Sequence, residues 1–472
     1  MSFANLLLFL ATCLAQGGDE SEPDGLLRRA EEKAARGQYK QAVDDYARLA
    51  KRFPGTSAGR IGLERAKPTA FLGWGELLVH GSSSNRIEVP LMGDGFPLAD
   101  QKLYDQRAKL LPGIFERYAV FEEYLTYFNF LRINLASRDS NFDRGQRYYE
   151  TALDGHDSGV AALDDGFVTV DRANVKQHLD NLSGHDGLAI ALVRRGHEGV
   201  SRRDVAVVVD VDESVVHEWG HVFGELADEH DAFTGHPVFA EAPNLSLDPD
   251  PLRVPWKRWI GEDEPGIGVY EGANGFLTGA WRPTNECAMG RGSDFCPVCR
   301  EALVLRIYRT VDPIEFCRPD PHSLPEPVRN ALVADDDLAF QVVVLAPASH
   351  GLDVRWWVLP RGEAPAAPSP RLPERRVDPD LLLALHGARE VQDRRRRGPL
   401  EPIGREPVAE TRGATRATQR FELKPQRFEP GIYRVVCRVE DSTQPRGAKR
   451  PWVRYDPHGV LVSERAWWVL IP

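Results

Sequence analysis

The residues His217-Glu218-Trp219-Gly220-His221 carry the sharpest chemical pattern in the chain. Histidines four apart on a helix share a face, so both imidazoles can reach one ion, and Glu218 lies beside the coordination position they leave open. The pattern suits a zinc ion whose open position holds a water of lowered pKa. Glu218 would take that water's proton and pass it to a leaving amine. With 13 histidines among 472 residues, chance places such a pattern in only a few per cent of comparable chains. Two unrelated histidines on a core or surface helix are the plainer reading. Against it stands the β-branched run DVAVVVD at 204–210, a buried-strand pattern that leads directly into the helical SVVHEWGHVFGELADE.

A third ligand has several candidates. Gly224 stands seven residues after His217, where a helix of this kind breaks, and Asp228, Glu229 and His230 follow. On a straight helix Asp228 would lie about 10 Å along the axis from His221, too far to share an ion. Asp228 is therefore the first choice on condition that the chain turns near Gly224. His230, Glu229 and the distant Glu271 are the alternatives, and a solvated helix end is the plainer role for Asp228 and Glu229.

The elements that must position these residues suggest a multidomain α+β chain, since 472 residues exceed one small core. Residues 24–66 have the three- and four-residue apolar spacing of a tetratricopeptide-like helical hairpin, which docks on the next domain or on a partner. From 86 to 330 strands and helices alternate in a mixed α/β domain that carries the HExxH helix. RIEVPLMGDGF and NFLRINLAS are further strands, with ADQKLYDQRAKLLPGIFE helical between them. From 335 to 472 alternating apolar segments predict an Ig-like β-sandwich, interrupted by a Pro- and Arg-rich disordered insertion at about 361–420.

At this point the chain resembles the IgA-peptidase family of zinc metallopeptidases. LMGDGF at 91–96, FNFLRINLASRDSNFD at 128–143, HEWGHVFGELADE at 217–229, GVYEGANG at 268–275, and RPTNECAMG with FCPVC carry the likeness. It covers roughly 86–310 and implies a metzincin-like catalytic fold and proteolysis. The family's N-terminal β-domain has no counterpart here, and the helical hairpin stands in its place. In metzincin-like enzymes a methionine lies in a turn beneath the metal, which makes Met289 the candidate. Glu271 and Arg282 flank the same segment and could contact substrate or brace the site.

Residues 1–15 read as a signal peptide, although Leu10-Ala11-Thr12-Cys13 also resembles a lipoprotein processing site. The expected location is secreted, periplasmic or cell-surface, and no later run is apolar enough to span a membrane. In an exported chain Cys287, Cys296, Cys299 and Cys317 suggest a disulfide, such as Cys287 to Cys296 or Cys299. The alternative is a second, structural zinc on those four cysteines, which a resemblance to the archaemetzincins also favours. Cys437 reads as a small buried hydrophobe. A net charge of -11 argues against a nucleic-acid partner. A protein or peptide substrate is expected. The competing function is a non-catalytic cell-surface binding protein using hairpin and sandwich, with a deacetylase or other metal-assisted hydrolase third.

Overall fold

The computed structural model describes residues 22–158, 167–201, 204–233, 242–261, 266–321, 331–363, 400–415 and 418–472. The expected signal segment at 1–15 and most of the expected insertion, from 364 to 399, lie outside the described residues.

Three helices begin the described chain: α1 (Pro23–Ala35), α2 (Tyr39–Arg52) and α3 (Ser57–Arg65). Ala30, Ala34, Ala42 and Tyr46 bury the seam of the hairpin. Gly37, at φ +74, makes the turn between α1 and α2 that a residue with a Cβ would resist. The third helix goes beyond the two-helix pattern and is capped by Thr56, whose side chain accepts the Gly59 amide. The hairpin docks on its own chain. Tyr39, Leu72 and Ala136 form one buried cluster, and the Tyr39 hydroxyl donates to Asp105 at 2.7 Å and accepts from Arg132 at 2.8 Å.

A five-stranded sheet follows, built from β1 (Ala70–Leu78), β2 (Ile87–Asp94), β3 (Phe128–Ala136), β4 (Ala189–Val193) and β5 (Val205–Val208). Its order is β1-β3-β2-β4-β5; β1 runs antiparallel to β3, and the other pairs are parallel. Continuous burial along β2 and β4 reflects a sheet covered on both faces. Val89, Leu91, Phe130, Ile190 and Val208 face one core, whereas Met92, Ile133, Ala191 and Val207 face a second. The HExxH helix α4 (Glu213–Val222) and the later helix α5 (Pro297–Thr310) pack in the first core. Strand β1 carries this sheet back ahead of the expected start at 86. Bulges at Phe71/Gly73 and Glu76/Leu78 break its alternation and hide it from a period-two search.

Between α4 and α5 lies a small sheet of β6 (Asp231–Phe233), β7 (Tyr270–Ala273) and β8 (Gly275–Arg282), with β8 in the middle. Beyond α5, two sheets face a common core: β9 (Ile314–Arg318), β11 (Leu338–Val344) and β14 (Thr418–Leu423) in one, and β10 (Leu332–Val333), β12 (Leu352–Pro360), β13 (Ala409–Ala414), β15 (Gly431–Glu440) and β16 (Val462–Ile471) in the other. Strand β9 belongs to this unit although the sequence pattern extended the preceding domain to 330. Strand β13 falls inside the stretch expected to be an insertion and pairs with β12. Among the described residues no helix is long and apolar enough to cross a membrane.

Candidate metal centre

Strand β5 delivers the chain to α4, where the Asp212 side chain accepts the Ser214 amide at 3.0 Å and caps the helix. Val215, Val216, Trp219 and Val222 are buried in the core. His217 and His221 lie on the opposite side, each side chain 23% exposed. Their Nδ1 atoms donate to backbone carbonyls, His217 to Ala288 at 3.0 Å and His221 to Leu226 at 2.8 Å. In the neutral tautomer that these bonds select, each Nε2 carries a lone pair, and the two Nε2 atoms stand 3.1 Å apart. Two lone pairs facing each other make no hydrogen bond.

The helix ends at Val222, and the chain turns through Glu225 at φ +56, with the Leu226 amide donating to Gly220 at 3.2 Å. Gly224 sits inside this turn, where a Cβ would come within 2.8 Å of the Gly220 carbonyl oxygen and of Leu303. The turn brings Asp228 back. Its Oδ1 lies 3.1 Å from His217 Nε2, 3.3 Å from His221 Nε2 and 3.2 Å from His230 Nε2, is buried, and has no hydrogen-bond partner. The His230 ring also stacks on that of His217, with centroids 6.4 Å apart.

These atoms fit a divalent cation. Ligands about 2.0–2.1 Å from a tetrahedral ion are about 3.3 Å from each other. The edges among His217 Nε2, His221 Nε2 and Asp228 Oδ1 measure 3.1, 3.1 and 3.3 Å. The electrostatics point the same way. Burial pulls the His221 pKa down, yet the Asp228 carboxylate outweighs it and lifts the value to about 10. Asp228 itself is held well below the usual carboxylate range, because the imidazoles outweigh its burial. The pocket is built to hold positive charge. Glu218, 8% exposed, has its pKa raised by burial against the opposing pull of His221, His217 and the Ser201 side chain.

The remaining candidates are distributed as follows. Met289 is fully buried under α4, where a Cβ on Gly220 would come within 2.5 Å of its sulfur. Its carbonyl accepts the Glu229 amide at 2.6 Å. Glu271 and Arg282 sit on the β7–β8 hairpin: Arg282 donates to the carbonyls of Glu271 and Thr284 and to the Asn285 side chain, and Glu271 accepts the Gly279 amide. These contacts brace the hairpin. Glu229 joins Cys287, Cys296 and Cys299 in a buried group. Cys317 lies apart on β9 against the sandwich core. All five described cysteines are free thiols.

Asn244 is a neighbour of the candidate site that sequence reasoning missed. Fully buried, it accepts the Ala227 amide at 2.9 Å and donates to the Ala227 carbonyl at 2.8 Å and to Glu229 Oε1 at 3.0 Å. It clamps the loop on which Asp228 lies, and no spacing signal ties it to that loop.

Residues 76–266, which contain α4 and Asp228, match the family model described as IgA Peptidase M64. No curated protein matches the chain. Over the matched segment the chain resembles that peptidase family.

Proposed function

We propose, from the likeness of residues 76–266 to the IgA peptidases, that this chain is an exported zinc-dependent endopeptidase. The observation that carries the proposal is the triangle of lone-pair donors from His217, His221 and Asp228, with the buried carboxyl of Glu218 next to it in the chain. Those three residues would hold the ion, and His230 packs against them. Bound there, zinc supplies a Lewis acid that lowers the pKa of water and polarises a carbonyl. Glu218 accepts the proton of the attacking water and returns it to the departing amine. The carbonyls of Ala288 and Leu226 keep both imidazoles in the tautomer whose Nε2 lone pairs face the site.

Met289 packed beneath α4 supports the metzincin-like reading, and the two-sheet C-terminal unit supports an Ig-like module. The apolar leader at 1–15 supports a secreted, periplasmic or cell-surface location. The binding-protein alternative loses support at the hairpin, where Tyr39 is buried with Leu72 of β1 and Ala136 of β3 of the same chain.

The test is cleavage of a denatured-protein and peptide library by wild type and Glu218→Ala, with zinc content measured on both. Glu218→Ala keeps its zinc and loses turnover by about 10²- to 10⁴-fold. Unchanged cleavage by the variant would exclude this mechanism.

A further inference from the structure

Behind the first donor set lies a second. Glu229, Cys287, Cys296 and Cys299 each present a ligand atom, and the four atoms lie within 4.8 Å of one another. The residues are 3%, 1%, 4% and 0% exposed, so the group is closed to solvent. Cys299 Sγ lies 2.9 Å and Cys296 Sγ 3.6 Å from Glu229 Oε1, to which Asn244 also donates. The other carboxyl oxygen, Oε2, is buried with no hydrogen-bond partner. An orphaned carboxyl oxygen among thiols is costly in an apolar interior unless a cation completes it.

The backbone here is turned to receive anionic sulfur. Cys287 Sγ accepts the amides of Met289 at 3.5 Å and Cys296 at 3.3 Å. Cys296 caps α5, and its sulfur accepts the Cys299 amide at 3.5 Å. The two-residue gap between Cys296 and Cys299 thus supplies two sulfurs at the start of a helix, Cys287 adds a third from the turn before it, and Glu229 reaches in from the loop after α4.

We propose that Glu229, Cys287, Cys296 and Cys299 form a second, structural site for a zinc-class divalent cation, bound by three thiolates and one carboxylate oxygen. On binding, each thiol releases its proton to solvent, and no bond other than metal–ligand bonds forms. Thiolate donors select a borderline-soft ion over magnesium or calcium. Four protein donors and full burial leave no position for substrate, which marks the site as structural. Glu229 is its fourth ligand, in the place that spacing alone gave to Cys317.

The site ties together the supports of the first centre. Glu229 follows Asp228 directly. Cys287 precedes Ala288, whose carbonyl orients His217, and Met289, which packs under Gly220. The proposal stands whether or not Glu218 proves to be the base of a peptidase, because neither its ligands nor its test involve turnover.

The test uses the full chain, purified reduced, loaded with cobalt(II), and compared with His217→Ala/His221→Ala. About two equivalents of metal are expected in the wild type and about one in the double variant, with thiolate-to-cobalt charge-transfer absorption in both. Cys296→Ser/Cys299→Ser loses that absorption. Because a misfolded cysteine variant would lose it trivially, the histidine variant and the wild type decide the matter. Absence of the charge-transfer band from the loaded wild type overturns the proposal, and so does a histidine variant that is folded by circular dichroism yet binds no cobalt. A disulfide between Cys287 and Cys296 or Cys299, found by mass spectrometry of the unreduced protein, overturns it as well.

Discussion

Asp228 and His230 both approach the candidate metal centre, but they are not equivalent as side chains. Asp228 Oδ1 is within 3.3 Å of three imidazole nitrogens, whereas the close polar contact of His230 Nε2 is with Asp228, at 3.2 Å. Asp228→Ala is therefore expected to weaken zinc retention by at least about 100-fold in chelator competition, and His230→Ala by less than about 10-fold. Equal losses would place His230 among the ligands. That the two histidines meet at one point was legible because four-residue spacing on a helix fixes which groups share a face. Asp228 was legible only conditionally, since its place depends on where the helix stops. The partnership of Glu229 with three cysteines was not legible, because it joins positions 58 or more residues apart through packing that no local period encodes.

At the scale of elements, the site depends on α4 lying tightly on the Met289 turn. Gly220 allows that approach, since its missing Cβ would fall 2.5 Å from Met289 Sδ. Met289 has little room to retreat: it is fully buried, its carbonyl holds the Glu229 amide, and Ala288 beside it anchors His217. Gly220→Ala is expected to cost about 1–3 kcal/mol through overpacking, despite alanine's better helix propensity. Thermal unfolding of the metal-stripped protein reads this without the contribution of ligand binding. A stability equal to or above wild type would mean that the methionine is not held against the helix. Strands with strong alternation or continuous burial, such as β2, β5 and β15, were readable from the sequence. Strand β9 was not, because its burial is confined largely to Ile314, and β1 was masked by its two bulges. The hairpin pattern was visible in α1 and α2, whereas α3 declares itself mainly through the Thr56 cap.

Across the whole molecule, the sheet domain and the C-terminal sandwich are joined by a polar bridge as well as by apolar packing. His350 Nδ1 meets Glu123 at 2.8 Å and its Nε2 meets Asp441 at 2.7 Å. Asp441 Oδ2 accepts from the hydroxyls of Tyr124 at 2.9 Å and Tyr308 at 2.6 Å, and Tyr127 lies 3.0 Å from Tyr308. Burial lowers the His350 pKa, but the bonds to Asp441 and Glu123 outweigh it and raise the value to about 9. Burial likewise pushes Glu123 up, and its bonds to His350 and Ser349 bring it below its ordinary value. The three tyrosines are raised well above their ordinary value, mainly by burial, and do not ionise in the relevant window. A raised histidine pKa gives stability that is complete below about pH 6.5 and lost as pH climbs through about 9, worth on the order of 3 kcal/mol at most. The lowered Glu123 contributes in the opposite sense, with stability present above about pH 4.5 and lost as pH falls through its folded-state pKa. The contact between the two units should accordingly be firmest at mildly acidic pH and loosen towards pH 9.5. Urea unfolding of wild type and His350→Gln at pH 6, 7.5 and 9.5 separates this bridge from general alkaline destabilisation. The stability gap between the two proteins should be largest at pH 6 and nearly closed at pH 9.5; a gap independent of pH would mean that the bridge is not held together by the charge on His350.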